Sequence, residues 1–180
     1  MVVEVMGRDT GWIALNAGIA GGATSILIPE VPFEIERVCE QLGARHGRGR
    51  YASIVVVAEG ARPKPGTMAE VKYDTDQFGR PRFGGIANLV ADEIAKRTDY
   101  EVRVVQIGHV QRGGTPTAFD RVLATRFGSS AIDAVHDRAW GKMVALHGED
   151  IELVDLSVPK GRTKTVDLDY FGYLESSFCG

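Results

Sequence analysis

Cysteine is nearly lacking in this 180-residue chain, which carries Cys39, Cys179 and no other. Two such residues make neither a disulfide framework nor a metal-spaced set, and that usage leads us to expect a reducing, cytoplasmic setting. Long hydrophobic runs are lacking too. The longest, Ile54–Ala58, falls far short of the roughly 18 apolar residues a bilayer span needs, so no membrane partner is expected. Glu4, Arg8 and Asp9 interrupt the first ten residues, where an export signal would need a basic start and an apolar run. Charge of one sign is scarce: a net charge of -3 gives no field that would gather nucleic acid or an anionic membrane. Any anionic ligand must therefore be held by local basic residues. Low-complexity tracts and internal repeats are missing, which excludes a solenoid or a linker protein. The residues present, 44% hydrophobic and 25% charged, are the ordinary make-up of a folded domain with one core.

Strand-like apolar runs alternate with helix-like patterns, and this predicts an α/β fold with a mostly parallel sheet and helices on both faces. Val2–Met6 and Thr24–Ile28 read as strands, with Trp12, Leu15 and Ile19 at helical spacing between them. Ile35, Val38, Cys39 and Leu42 fall on one face of a second helix. Ile54–Ala58 is a β-branched run suited to a strand buried on both sides. Gly60 to Gly85 is rich in Gly, Pro, Asp and Arg and reads as a long surface excursion. A helix through Ile86, Leu89, Val90 and Ile94 comes next, then a strand from about Glu101 to Ile107. Phe119, Val122, Leu123 and Phe127 line a helix running towards Val135, and Met143–Leu146 reads as a strand. The expected division is an α/β part over residues 1–156 and a loosely attached tail over 157–180, interrupted by Pro159 and Gly161.

Ligands of open α/β sheets collect beyond the carboxyl ends of the strands, so the chemistry is sought there. Three predicted strands end in polar groups beside glycine: Met6-Gly7-Arg8-Asp9, Glu59-Gly60, and Gly108-His109-Val110-Gln111-Arg112-Gly113-Gly114-Thr115. In the last, His109 can donate a hydrogen bond and Arg112 offers a fork matched to phosphate oxygens. These describe a phosphate seat, against the alternative of a tight turn with a solvated arginine. The same stretch mimics a nucleotide-binding G-x-x-x-x-G-K-T loop, but Gly114 stands where the lysine should be. Glu59, at the end of an apolar strand, needs ligand hydroxyls or a structural partner. Arg8 either neutralises a transferring phosphoryl group or pairs with Asp9. Arg103 lies six residues before His109, about 20 Å away along an extended strand. The two cannot grip one small anion within a subunit, so a shared phosphate would require a neighbouring chain and a two-fold interface. Arg45, Arg48 and Arg50 form a charged loop.

Those motifs, with Gly11-Trp12-Ile13-Ala14-Leu15, Pro116 and Asp120-Arg121 in the same order, closely resemble the 6-phosphofructokinase family over most of the chain to about Gly148. The resemblance implies phosphoryl transfer from ATP or pyrophosphate to the 1-hydroxyl of fructose 6-phosphate, with magnesium, in a cytoplasmic glycolytic homo-oligomer. It further implies that Met6, Gly7 and Arg8 contact the sugar phosphate, with Arg8 also near the transferring group. By the same likeness Glu59 binds sugar hydroxyls, His109 and Arg112 hold the 6-phosphate, and Arg103 reaches it from the adjacent subunit. Arg48 and Arg50 resemble residues that bind diphosphate effectors, although Thr24 stands where such enzymes often carry a metal-binding glutamate. The family's Gly-rich nucleotide loop and catalytic aspartate segment have no counterpart in this sequence. The expectation is therefore a fructose 6-phosphate half without the donor half, its magnesium held mainly by the missing part, and inactive alone. The other reading is a non-catalytic sugar-phosphate-binding or assembly module.

Overall fold

The computed structural model describes residues 1–68, 77 and 84–178. The chain divides into two units, Met1–Arg112 with Lys164–Gly180, and Gly113–Thr163. The excursion expected from Gly60 to Gly85 lies mostly outside the described residues; its described start bridges Pro63 to Phe33.

In the first unit, β1 (Val2–Val5), β2 (Ser25–Leu27), β3 (Val55–Ala58) and β4 (Val104–Gln106) form one sheet in the order β2-β3-β1-β4. All neighbours run parallel. Helices α1 (Trp12–Ala20), α2 (Ile35–Gly47) and α3 (Ile86–Arg97) connect the strands. Alternation along the strands splits the core into two layers, because successive side chains leave opposite faces of a sheet. Val55 and Val57 pack with Ile35, Val38 and Leu42 of α2 and with Ile86, Val90 and Ile94 of α3. Val56 and Ala58 pack with Ala14 and Leu15 of α1. Every residue of β3 is buried, as a β-branched run covered on both faces should be.

Glu4 interrupts this apolar pattern. It is 6% exposed on β1, and its carboxylate accepts hydrogen bonds from the backbone N–H groups of Gly85 and Ala87, each at 3.0 Å. A carboxylate there answers the unpaired donors at the start of α3 and the positive end of its dipole.

The closing segment differs from expectation. Residues 164–178 are not a loose tail: helix α5 (Leu168–Phe178) ends the described chain, and Val166 and Phe171 are buried with the α1 layer of the core. Pro159 and Gly161 punctuate the chain ahead of this segment, which Val166 and Phe171, with Leu174 packed beside them, anchor to the core. The expected division at 156/157 is thus replaced by two junctions, one between Arg112 and Gly113 inside the expected α/β part and one between Thr163 and Lys164.

The second unit consists of α4 (Ala118–His136) and an antiparallel hairpin of β5 (Lys142–His147) and β6 (Asp150–Asp155). The strand expected at Met143–Leu146 is thus present, paired in its own two-stranded sheet. α4 starts with a reciprocal cap: the Asp120 N–H donates to the Thr117 hydroxyl, while the Thr117 N–H and hydroxyl donate to the Asp120 carboxylate. The hydroxyl bond, then the backbone one, hold the Asp120 carboxyl below its usual range. Two strands cannot cover a 19-residue helix, and no residue of α4 is buried. Phe119 and Val122, expected on a packed face, are exposed.

Phe171→Ala should lower the stability of the chain by about 3 kcal/mol, the usual cost of truncating a buried aromatic. Urea unfolding of the two proteins measures this; an unchanged midpoint would mean that the closing segment is undocked.

Candidate functional site

Parallel pairing delivers the exits of β1, β3 and β4 to one edge of the sheet. Val5 lies opposite Ala58 and Glu4 opposite Gln106, so the next residues out are Met6, Glu59 and the Ile107-Gly108 pair. Main-chain bonds continue briefly past the ladders: the Glu59 N–H donates to Val5 O at 2.9 Å and the Ile107 N–H to Glu4 O at 3.1 Å. Side chains then take over. The Met6 N–H donates to Gln111 Oε1 at 2.7 Å, and the Gly7 N–H lies 3.4 Å from Glu59 Oε1.

Glycine makes this crowding possible. A Cβ on Gly60 would stand 1.8 Å from the Arg8 carbonyl oxygen, and the Gly60 N–H donates to Gly7 O at 3.0 Å. Gly7 itself has φ +150°, where a Cβ would meet Thr10 O at 2.7 Å. The backbone carrying Arg8 therefore lies directly against the backbone after Glu59. At the third exit the chain turns through Gly108, φ +56°, into a short 3-10 turn, Gly108–Arg112. His109 and Arg112 stand exposed on that turn.

The structure thus brings Met6, Gly7, Arg8, Glu59, His109 and Arg112 to one edge. Arg8 lies 3.9 Å from Asp9 in an exposed ion pair. Arg103 is at the other end. Its carbonyl accepts from the Val2 N–H at 2.8 Å at the start of β1, and its guanidinium pairs with Glu101 on the surface. Arg48 caps the end of α2 and Arg50 lies in the loop before β3, also on the far side from Met6. Thr24, just ahead of β2, is 2% exposed, and its hydroxyl has no partner among the described residues. A cavity of about 310 Å³, lined by Met1, His46, Tyr51, Ser53 and Tyr100 among others, opens at that far edge too.

One arginine fork, an imidazole, a second arginine and a carboxylate around glycine-lined backbone can bind a phosphorylated polyol: cations for the phosphate, carboxylate for hydroxyls. Among the described residues no three His, Cys, Asp or Glu side chains converge. A family model described as Phosphofructokinase matches residues 1–135.

The chain belongs to the phosphofructokinase family.

Relatives agree with that membership. A pyrophosphate-fructose 6-phosphate 1-phosphotransferase of Streptomyces coelicolor is 54% identical over 93% of this chain and 48% of its own length. An ATP-dependent 6-phosphofructokinase of Mycobacterium tuberculosis is 54% identical over 92% of the chain and 48% of its own. The chain thus spans about half the length of the curated relatives it matches. Among solved structures, Pichia pastoris phosphofructokinase in the T-state superimposes with TM-score 0.69 at 32% identity, over 99% of this chain and 19% of that one. A pyrophosphate-dependent phosphofructokinase of Marinobacter aquaeolei gives 0.75 at 23% identity, over 94% and 42%, a likeness of fold alone.

Three polar residues that organise this phosphofructokinase-family edge carry no chemistry-bearing motif of their own. Gln111 sits inside the third exit motif, yet only its long-range partner reveals its use. Glu4 reads as a flaw in an apolar strand; that flaw was the available signal. Glu30 comes after β2, and its Oε1 accepts from Gly11 at 3.0 Å and Val166 at 2.9 Å, tying the end of the Arg8 loop to the docked closing segment.

Gly60→Ala should displace the Arg8 backbone and cost about 1–3 kcal/mol, as forced overpacking does. Backbone NMR should show the Gly7 to Thr10 amides shifted and those of α2 unmoved. A variant with unshifted Gly7 to Thr10 resonances would contradict the close packing of these two exits.

Proposed function

We propose that this chain supplies the sugar-phosphate side of a 6-phosphofructokinase, holding fructose 6-phosphate while its 1-hydroxyl takes a phosphoryl group to give fructose 1,6-bisphosphate. The observation that supports the reading is the strand register that brings the exits bearing Arg8, Glu59, His109 and Arg112 to one edge of the sheet. His109 and Arg112, on one short turn, hold the 6-phosphate; Glu59, one residue past β3, accepts from sugar hydroxyls; Arg8 balances charge on the transferring group.

In the reaction the 1-hydroxyl oxygen forms a bond to the terminal phosphorus of the donor as that phosphorus parts from the bridging oxygen, which leaves with ADP from ATP or with phosphate from pyrophosphate. The hydroxyl proton goes to a base. Positioning and base catalysis ordinarily supply several orders of magnitude, and this chain offers binding and charge neutralisation. Its base and donor site belong to the remaining half of the relatives' length, so turnover by the chain alone is negligible. Magnesium, by the same reasoning, accompanies the donor phosphates outside this chain.

Either ATP or pyrophosphate serves as the donor in this reading. The chain is equally similar, at 54%, to a relative named for pyrophosphate and one named for ATP, while both names share the fructose 6-phosphate acceptor or its kinase activity. The working form is a cytoplasmic homo-oligomer, since Arg103, at the far edge, can serve a 6-phosphate in a neighbouring subunit and not its own. Arg48 and Arg50, on that same far side, are proposed as effector ligands. The assembly-module reading is favoured by one observation, the exposed Phe119, Val122, Ile132 and Val135 of α4.

Calorimetric titration of the chain with fructose 6-phosphate tests the function. Binding should be weakened at least tenfold in Arg112→Ala, because a lost charged hydrogen bond to phosphate costs about 1.5–3 kcal/mol. Absence of heat at millimolar ligand, or equal affinity in the variant, would sink it.

A further inference from the structure

The sheet ladder between β1 and β4 breaks one rung before the functional edge. The Val2 N–H donates to Arg103 O and the Ile107 N–H to Glu4 O, which is the regular parallel pattern for Val2 opposite Val104 and Glu4 opposite Gln106. The next rung of that pattern would run from the Met6 N–H to the Ile107 carbonyl. It is not made, because the chain swings away through Gly108 at φ +56° into the 3-10 turn. The Met6 N–H bonds instead to Gln111 Oε1 at 2.7 Å, from a residue 105 positions away and partly buried.

We propose that Gln111 is a positioning residue for the sugar-phosphate crevice: its side chain replaces the missing rung and locks the Met6-Gly7-Arg8 exit to the turn bearing His109 and Arg112. The inference rests on the function proposed above. A backbone N–H can only donate, so the amide oxygen must face Met6, which fixes the orientation of the whole side chain. The 3-10 turn is short, and Gln111 sits between His109 and Arg112 within it. One bond therefore sets the distance between the arginine at the first exit and the phosphate seat at the third. Neighbouring backbone cannot supply that restraint, because the turn geometry that exposes His109 and Arg112 is the same geometry that removes the carbonyl.

Two substitutions of similar length separate the hydrogen bond from packing. Gln111→Met keeps the volume and loses the strong acceptor; Gln111→Glu keeps an acceptor oxygen. Amide hydrogen exchange reads the bond directly, since an amide without its acceptor opens more readily. In Gln111→Met the Met6 amide should exchange about tenfold faster while Val3 and Val5 of β1 are unchanged, and fructose 6-phosphate should bind about tenfold more weakly, the scale of one lost hydrogen bond. In Gln111→Glu the Met6 amide should stay protected. Unchanged Met6 exchange in Gln111→Met, equal loss of protection in both variants, or faster Met6 exchange with undiminished affinity would each overturn the proposal. Should the unsubstituted chain bind no fructose 6-phosphate while Met6 protection depends on the acceptor, the latch stands and the sugar-phosphate reading falls.

Discussion

In a parallel sheet each strand delivers its exit to the same edge, and hydrogen-bonded register, not loop length, sets how far apart the exits lie. Here β1 is the shared neighbour of β3 and β4, so the residues after Val5 must meet those after Ala58 and Gln106. The three polar exits come from positions about fifty residues apart in sequence, and only this pairing gathers them. The packing beneath is what fixes the pairing. Val55 and Val57 anchor β3 to one helical layer while Val56 and Ala58 anchor it to the other, and a slip of one residue would exchange the two sets.

Beyond the ladders the restraint passes from backbone to a few close contacts. Gly60 admits the Arg8 carbonyl into space no side chain could share. Gln111 reaches the Met6 amide, Glu4 receives the start of α3, and Glu30 joins the end of the Arg8 loop to the closing segment. Each is a polar group answering a backbone donor that the regular structure leaves over, in keeping with the cost of burying such a donor unpaired. The edge is therefore held by its neighbours on several sides, while the side chains that would meet a ligand, Arg8, His109 and Arg112, remain exposed.

Much of this was legible in the residues alone. The β-branched run at Ile54–Ala58 announces a doubly covered strand, the spacing of Ile35, Val38 and Leu42 announces α2, and glycine beside polar residues at three strand exits marks the edge proposed to bind the sugar phosphate. The rise per residue of an extended strand is enough to separate Arg103 from His109. The hidden part was non-local. The alternation of Asp150–Asp155 is too acidic to read as a strand until its hairpin partner is seen. Val166 and Phe171 look like stray apolar residues in a polar stretch, and their burial depends on a surface built by residues far earlier. Gln111 belongs to a legible motif, but its use depends on a rung that fails because of Gly108, which no spacing rule reveals. The helical period of α4 predicts a packed face, and a two-stranded partner leaves it open.

The chain's match to half the length of its relatives, with equal likeness to members named for different donors, is consistent with a division of labour in which this part recognises the acceptor. In the proposed function three strand exits act as one receptor for a hexose monophosphate. The most direct measurement is a backbone NMR titration of the isotope-labelled chain with fructose 6-phosphate. The amides of Gly7, Gly60, His109 and Arg112 should shift together along a single saturation curve. Shifts confined to one exit, or centred on Arg48 and Arg50 at the opposite edge, would contradict the claim.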